Sequence, residues 1–177
     1  MATASVEPRS RARKPPSHIE IIGNEAVVTL TKGLTAVIDA ADVPLVSGYY
    51  WSALINVYYG HAYAVRFQSG KAILMHRVLL DAPKGLQVDH IDGDGLNNRR
   101  ANIRLCTPNL NQANRAVERR NRIGAKGVSI SRTGRRFKAS ITPNGKKIHL
   151  GSFATKQEAA AAYKGAARVL WGNFTYE

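Results

Sequence analysis

Residues 87–114 read QVDHIDGDGLNNRRANIRLCTPNLNQAN, an Asp-His pair followed by a polar glycine-bearing loop, two arginines and a spread of asparagines. Its apolar and polar residues sort into four parts. Gln87 to His90 has the composition of a short strand, GDGLNN of a loop, and NIRLC of a returning strand. Thr107 stands where an N-cap hydroxyl serves the first helical amides, and Pro108 takes the first helical position, where a missing N–H costs nothing. The helix PNLNQANRAVERRN follows. Strand, loop, strand and helix turn the chain back on itself, so that Asp89 and Asn111, 22 residues apart, can meet.

Several chemistries compete for these residues. A calcium loop of the EF-hand kind starting at Asp89 or Asp92 needs a glutamate at its twelfth position, where Arg100 and Ile103 stand. A structural zinc site needs soft ligands that the single cysteine, Cys106, cannot supply. A solvated turn accounts for acids and amides but not for the seven arginines against one glutamate in residues 99–122. Phosphodiester hydrolysis uses them all. It needs a base near neutrality, which His90 offers, and hard oxygens for a divalent cation, which Asp89 and Asn111 offer. Arg99, Arg100, Arg104 and Arg115 would lie against a phosphate backbone. Two protein oxygens completed by phosphate and water suit a half-open magnesium site, with manganese as the other candidate.

Charge is segregated along the 177 residues, whose formal net charge is +14. Residues 1–16 carry four basic and one acidic side chain among prolines and serines and read as a disordered basic arm. Residues 17–98 are mildly acidic, with five basic and eight acidic side chains, whereas residues 124–177 carry ten basic and two acidic. A basic surplus kept only for solubility would not divide in this way, so the expected partner is a polyanion, double-stranded DNA, running along the C-terminal two thirds. The chain has no apolar run near 18 residues and no basic amphipathic helix, which argues against a membrane role. The N-terminus lacks the apolar segment of a signal peptide, so the expected location is cytoplasmic. Cys106, in the apolar run NIRLCTP, reads as a packed thiol. No protein partner is inferred.

Before the Asp-His loop, EAVVTLTKGLTAVIDA and YYWSALINVYYGHAYAVRF read as hairpins turning at Lys32-Gly33 and Tyr59-Gly60, and AILMHRVLLDAP reads as a short helix ending at Pro83. After the loop and its helix, RNRIGAKG reads as a linker. Three short alternating runs follow, KGVSISR, RFKASITPN and KKIHLGSF, with a hairpin turn at Asn144-Gly145. The helix TKQEAAAAYKGAARVLW has Thr155 and Glu158 at capping-box spacing and Gly172 as its stop. Period two puts Val128, Ile130, Phe137, Ala139, Ile141, Ile148 and Leu150 on one face. Ser129, Ser131, Arg136, Lys138, Ser140, Lys147 and His149 fall on the other, a polar cationic face left open when the alanine-rich helix covers the first.

VDHIDGDGLNNRRANIRLCTPNLNQANR resembles the HNH nuclease motif in its phage homing-endonuclease form, in which Asp-His opens the motif, a central Asn follows and a final Asn replaces the last His. The resemblance implies Asp89 and Asn111 as metal ligands, His90 as general base and Asn102 as the central Asn that braces the loop carrying His90. His76, in LMHRVLL, lies where such proteins often carry a His-Arg pair. Residues 126–174 are similar to the APETALA-type, or ethylene-response-factor, DNA-binding domain through GVSIS, FKASI, IHLGSF and EAAAAYKGAA. That similarity implies a three-stranded sheet entering the major groove, with Ser129, Ser131, Arg132, Arg136, Lys138 and Lys147 as contacts.

The expected fold class is therefore α+β. A ββα-metal nuclease core preceded by β-hairpins occupies residues 17–123, and a small three-stranded antiparallel sheet packed on one helix occupies residues 124–177. The expected function is metal-dependent, site-selective DNA cleavage of the homing-endonuclease kind, acting in the bacterial host cytoplasm of a phage or mobile element. The alternative is a DNA-binding regulator with a decayed nuclease site.

Overall fold

Turns set by left-handed residues build the first layer of the chain, whose computed structural model describes residues 14–57, 60–114, 121 and 123–174. Strands β1 (Ile19–Ile22), β2 (Glu25–Thr29) and β3 (Thr35–Asp39) pair antiparallel in that spatial order. The β2–β3 turn falls at Lys32 and Gly33, with φ of 64° and 68°, a region that glycine enters without cost. β1 is added outside the expected hairpin. Its sequence, IEII, does not alternate cleanly, and Ile21 and Ile22 remain 60% and 57% exposed on an edge strand.

The short helix α1 (Val43–Val46) leads into a second antiparallel sheet of β4 (Ser52–Asn56), β5 (His61–Gln68) and β6 (Lys71–Leu74). Apolar spacing predicts a helix through the whole of AILMHRVLLDAP, but the structure corrects this. Ala72, Ile73 and Leu74 pair with Phe67, Arg66 and Val65 as part of β6, and helix α2 spans only Met75–Leu79. The free edge of β5 satisfies backbone groups that a first helical turn would leave without partners.

These two sheets and α2 enclose one core. Ala26, Val28, Ala36 and Ile38 from the first sheet meet Trp51, Ala53 and Ala64 from the second and its approach, with Met75 and Leu79 of α2. Trp51 is fully buried, and its indole Nε1 donates to Val46 O at 2.9 Å, so the ring is withdrawn from water without stranding its N–H. Truncating a side chain of this size in a core costs about 3–5 kcal/mol. Arg77 donates to the carbonyls of Ala82, Pro83 and Leu86 and so orders the turn after α2. From that turn the chain enters β7 (Gln87–His90), which pairs antiparallel with β8 (Ile103–Cys106), and helix α3 (Pro108–Asn114) follows. Ile103 ties this unit to the core.

The C-terminal part has its own core. β9 (Val128–Ile130), β10 (Phe137–Ile141) and β11 (Ile148–Phe153) form an antiparallel sheet with β10 central, and helix α4 (Lys156–Trp171) packs on it. The capping box at Thr155 and Glu158 is present in full, and Gly172 ends the helix at φ 54°. A register shift between Ala139 and Ser140 leaves Leu150 outside the cross-strand pairing, and it packs with Val128, Ala139 and Ala159. Gly127 has to be glycine for two reasons. Its φ is +68°, and a Cβ would stand 2.1 Å from the Tyr163 ring.

Two expectations need correction here. The stretch read as a linker contributes Ile123 and Ala125 to this second core, because an apolar pair needs no periodicity to be buried by a neighbouring helix. Ile130 and Ile148, assigned to the covered face, remain 52% and 41% exposed, since a single helix covers the middle of a sheet better than its edges. The chain is thus a mixed α/β protein with several small antiparallel sheets and few helices, compatible with an HNH nuclease. Among the described residues no helix is long and apolar enough to cross a membrane.

Candidate active site

Adjacent residues of a strand point to opposite faces, and β7 uses this to separate Asp89 from His90. Both are buried, at 5% and 6% exposure. Asp89 is held by β8 and α3. Arg104, its cross-strand partner, donates Nε to Oδ2 at 2.9 Å and sets Nη2 2.8 Å from the same oxygen. Asn114 Nδ2 lies 2.9 Å from Oδ1 and 2.9 Å from the His90 carbonyl, reaching both. Phe174, just beyond α4, covers the other side of the Arg104 guanidinium at 3.6 Å from ring centroid to Cζ.

His90 faces β5 and α2. Its ring lies 5.0 Å from that of His76, nearly perpendicular, and 5.9 Å from that of Tyr63. Its Nε2 is 3.2 Å from Oδ1 of Asn98. Burial pulls the His90 pKa below its usual value, against the Asn98 hydrogen bond and the charges of Asp92, Asp89 and Asp94, which raise it. His76 is lowered to about 3, by burial first and then by the neighbouring charges of His90 and Arg77. Both imidazoles are therefore neutral at pH 7, the form in which a ring nitrogen can accept a proton.

The loop between β7 and β8 is organised by Asn102. Its Oδ1 accepts from Asp92 N–H at 3.1 Å, and its Nδ2 donates to Asp92 Oδ1 and to Asn97 O. Burial alone would raise the Asp92 carboxyl pKa. The hydrogen bonds it accepts from the Asp94 amide, Asn102 and Asn97 outweigh that and lower it. The loop also docks on β3. Val37 N–H donates to Leu96 O at 2.9 Å, and Asn98 N–H donates to Val37 O at 2.7 Å. Gly95 permits the close approach to β5, since a Cβ there would lie 2.3 Å from Ala62 O and 2.5 Å from the Tyr63 ring.

The residues singled out from sequence are distributed as follows. Asp89 and His90 lie together, with Asn102 behind them in the loop. Asn111 lies on α3 one turn before Asn114, and its Nδ2 donates to Gln87 Oε1 at 2.7 Å, so the α3 amide on Asp89 is that of Asn114. Arg99 is paired with Glu25, and Arg100 is forked onto Asp42 while its backbone N–H donates to Asp39. With Arg104 on Asp89, these three cations are engaged inside the chain, although Arg99 and Arg100 keep much of their surface exposed. Arg115 lies outside the described residues. Arg132, Arg136, Lys138 and Lys147 are on the C-terminal module, where Lys138 stands between Ser129 and Ser152 on neighbouring strands. Arg136 donates to Ser152 O.

Asn98 and Asn114 escape a reading of the sequence because each is one asparagine among several. Only the partners brought by β3 and β7 distinguish them. The Asp89 carboxylate offers hard oxygens of the kind a magnesium-class cation takes, and in this structure Oδ2 is engaged by Arg104 and Oδ1 by the Asn114 amide nitrogen. Among the described residues no group of three or more His, Cys, Asp or Glu is placed to hold a metal. The nearby Cys106 thiol is pushed up to about 11, by burial first and then by the Asp89 charge, and is no thiolate ligand at neutral pH.

A profile of the HNH endonuclease family matches residues 81–113, the stretch that contains β7, the loop, β8 and most of α3. The chain is 32% identical over 150 residues to an HNH endonuclease of Acanthamoeba polyphaga mimivirus, an alignment covering 81% of this chain and 74% of the relative. It is also 35% identical over 92 residues to Protein 3.8 of Escherichia phage T7, covering 52% of this chain and 75% of that protein. No solved structure matches it. The chain belongs to the HNH endonuclease family and is a DNA endonuclease. HNH nucleases generally use a divalent metal.

Proposed function

We propose that the protein is a metal-dependent, site-selective endonuclease of the homing kind that hydrolyses phosphodiester bonds in double-stranded DNA, with His90 as the general base. One observation carries this reading. A buried imidazole and a buried carboxylate stand back to back on one strand, with an asparagine-bearing helix laid along the carboxylate side. Asp89 and an α3 amide oxygen, Asn111 by the family pattern, would hold the metal, magnesium or manganese. When bound, such a cation stabilises the charge that develops on the pentacovalent phosphate and on the departing 3′ oxygen.

The chain's own residues do the rest. His90 accepts the proton of the attacking water, and the neutral state enforced by burial keeps a lone pair available. Asn102 holds the loop that carries His90 by bonding Asp92 and Asn97 at once. Arg104 neutralises the buried Asp89 carboxylate and would have to give up that pair for the carboxylate to take a cation. Residues 124–177 act as the targeting module, an APETALA-type sheet that presents Arg132, Arg136, Lys138 and Lys147 to the DNA. The Arg104–Asp89 pair also favours a second reading, in which Arg104 permanently replaces the metal and the protein binds DNA without cutting it.

A plasmid-nicking assay separates the two. The expected outcome is cleavage that needs added magnesium and stops with EDTA. In His90→Ala and Asp89→Ala cleavage should be abolished, while DNA affinity in mobility shifts changes by less than about tenfold, roughly 1.4 kcal/mol. Full activity in either variant excludes the proposed site, and no cleavage by the unaltered protein with any divalent cation supports the binding-only reading.

A further inference from the structure

We propose that Asn98 is a positioning residue that selects the tautomer of His90, leaving Nδ1 as the nitrogen that accepts the proton of the attacking water. The inference rests on the reading of His90 as the base and adds which of its atoms acts and what holds it so. Asn98 is fully buried, with 0% exposure, and cannot touch DNA. Any effect it has on cleavage must pass through its neighbours.

The orientation of its amide follows from its two side-chain partners. Nδ2 donates to the carbonyl oxygen of Leu96 at 3.1 Å, an atom that can only accept. The opposite end of the amide, Oδ1, is then the atom 3.2 Å from His90 Nε2, and an amide oxygen can only accept as well. Nε2 must therefore carry the hydrogen. In a neutral imidazole one nitrogen bears the proton and the other the lone pair, so the lone pair is on Nδ1. Flipping the amide would set oxygen against oxygen at Leu96 and deprive that carbonyl of its side-chain donor.

Asn98 is itself held by the first sheet. Its backbone N–H donates to Val37 O at 2.7 Å, and Val37 N–H donates to Leu96 O at 2.9 Å, so both the asparagine and the carbonyl that orients it hang from β3. His76 and Tyr63 wall the imidazole on other sides and limit rotation of the ring out of this bond. The N-terminal meander, remote from the Asp-His pair in sequence, thereby acquires a function in the reaction as the support of the group that sets the base.

The test joins a spectroscopic readout to kinetics on the full chain. Long-range nitrogen–proton correlation spectra of the protein labelled with nitrogen-15 at histidine, recorded without metal, should show His90 as one tautomer with Nε2 protonated. Asn98→Leu removes the acceptor at similar size. It should give mixed or Nδ1-protonated His90 and lower kcat by about 100-fold or more, within the range that misplaced acid–base groups cost, with KM for DNA little changed. Asn98→Asp keeps an accepting oxygen on Nε2 and should hold the Nε2–H signal. Its second oxygen gives up the Leu96 bond and its charge favours the imidazolium, so the rate lost in Asn98→Leu should return only as the pH is raised.

Three results overturn the proposal: a wild-type His90 protonated at Nδ1; Asn98→Leu cutting within tenfold of wild type; or Asn98→Asp losing as much rate as Asn98→Leu at every pH with the tautomer unchanged. If Asn98→Leu fails to fold, the wild-type spectrum and Asn98→Asp still decide. Failure of the base assignment is distinct, because it shows as cleavage by His90→Ala whatever the tautomer.

Discussion

Asn111 and Asn114 differ by one helical turn and face the same strand, yet their neighbours give them different tasks. Asn114 satisfies two buried acceptors, Asp89 Oδ1 and the His90 carbonyl, and its amide nitrogen is the end turned toward the carboxylate. Removing it takes a donor from the buried Asp89 Oδ1, at a cost of about 1–3 kcal/mol, while the His90 carbonyl keeps the Gly93 N–H. Asn111 spends its nitrogen on the exposed Gln87, and its amide oxygen has no partner among the described residues. Magnesium titration of nicking, read beside urea unfolding, should separate them. Asn111→Ala should need about tenfold more magnesium or higher, with stability nearly unchanged, whereas Asn114→Ala should lose stability. A wild-type titration in Asn111→Ala together with a raised requirement in Asn114→Ala would transfer the ligand role to Asn114.

At the level of elements, the Asp-His strand is positioned by a loop packed on two different sheets. One side of residues 91–98 is stitched to β3 through Val37, and the other is pressed against β5 at Gly95. Gly95 does not have a left-handed backbone, so only space demands glycine there, and the obstacle is a backbone carbonyl that a rotamer change cannot move. Gly95→Ala should therefore destabilise the protein by about 1–3 kcal/mol in chemical denaturation, the usual cost of overpacking. It should also lower kcat more than DNA affinity, because the displaced loop carries Asn98. An alanine variant of wild-type stability and rate would show that the loop does not need this approach. This element was legible in the sequence as a loop between two strands. Its docking was not, since Gly95 carries no local sign that Tyr63 lies beneath it.

Across the whole molecule, two cores are joined next to the site. Asn109 of α3 donates to Asn144 Oδ1 in the β10–β11 turn at 2.9 Å, and Phe174 covers Arg104. Lys138 and Arg136 lie on the open face of the C-terminal sheet, whereas Arg99, Arg100 and Arg104 are engaged with acids. DNA affinity should accordingly depend more on the former. Replacing Arg136 and Lys138 together by glutamine should flatten the log–log dependence of binding on salt by about 2, near 0.9 for each phosphate that is no longer neutralised. Cleavage at saturating DNA should keep its rate. A salt slope equal to that of wild type would remove the open face of the C-terminal sheet from the binding surface.

The sequence by itself determined what depends on neighbours a few residues apart. The β2–β3 turn, the capping box of α4 and the strand, loop, strand and helix around Asp89 and His90 follow from alternation, turn residues and cap hydroxyls, all of which act locally. Tertiary structure decided which partner each polar group met. Arg99 found Glu25 across 74 residues and Arg100 found Asp42 across 58. Asn98, rather than any other asparagine of the loop, reached His90 because β3 holds it there. Pattern selects an element by whether its faces are apolar, but a buried amide or guanidinium is assigned by the one donor or acceptor within about 3 Å, and only the folded chain brings that atom into place.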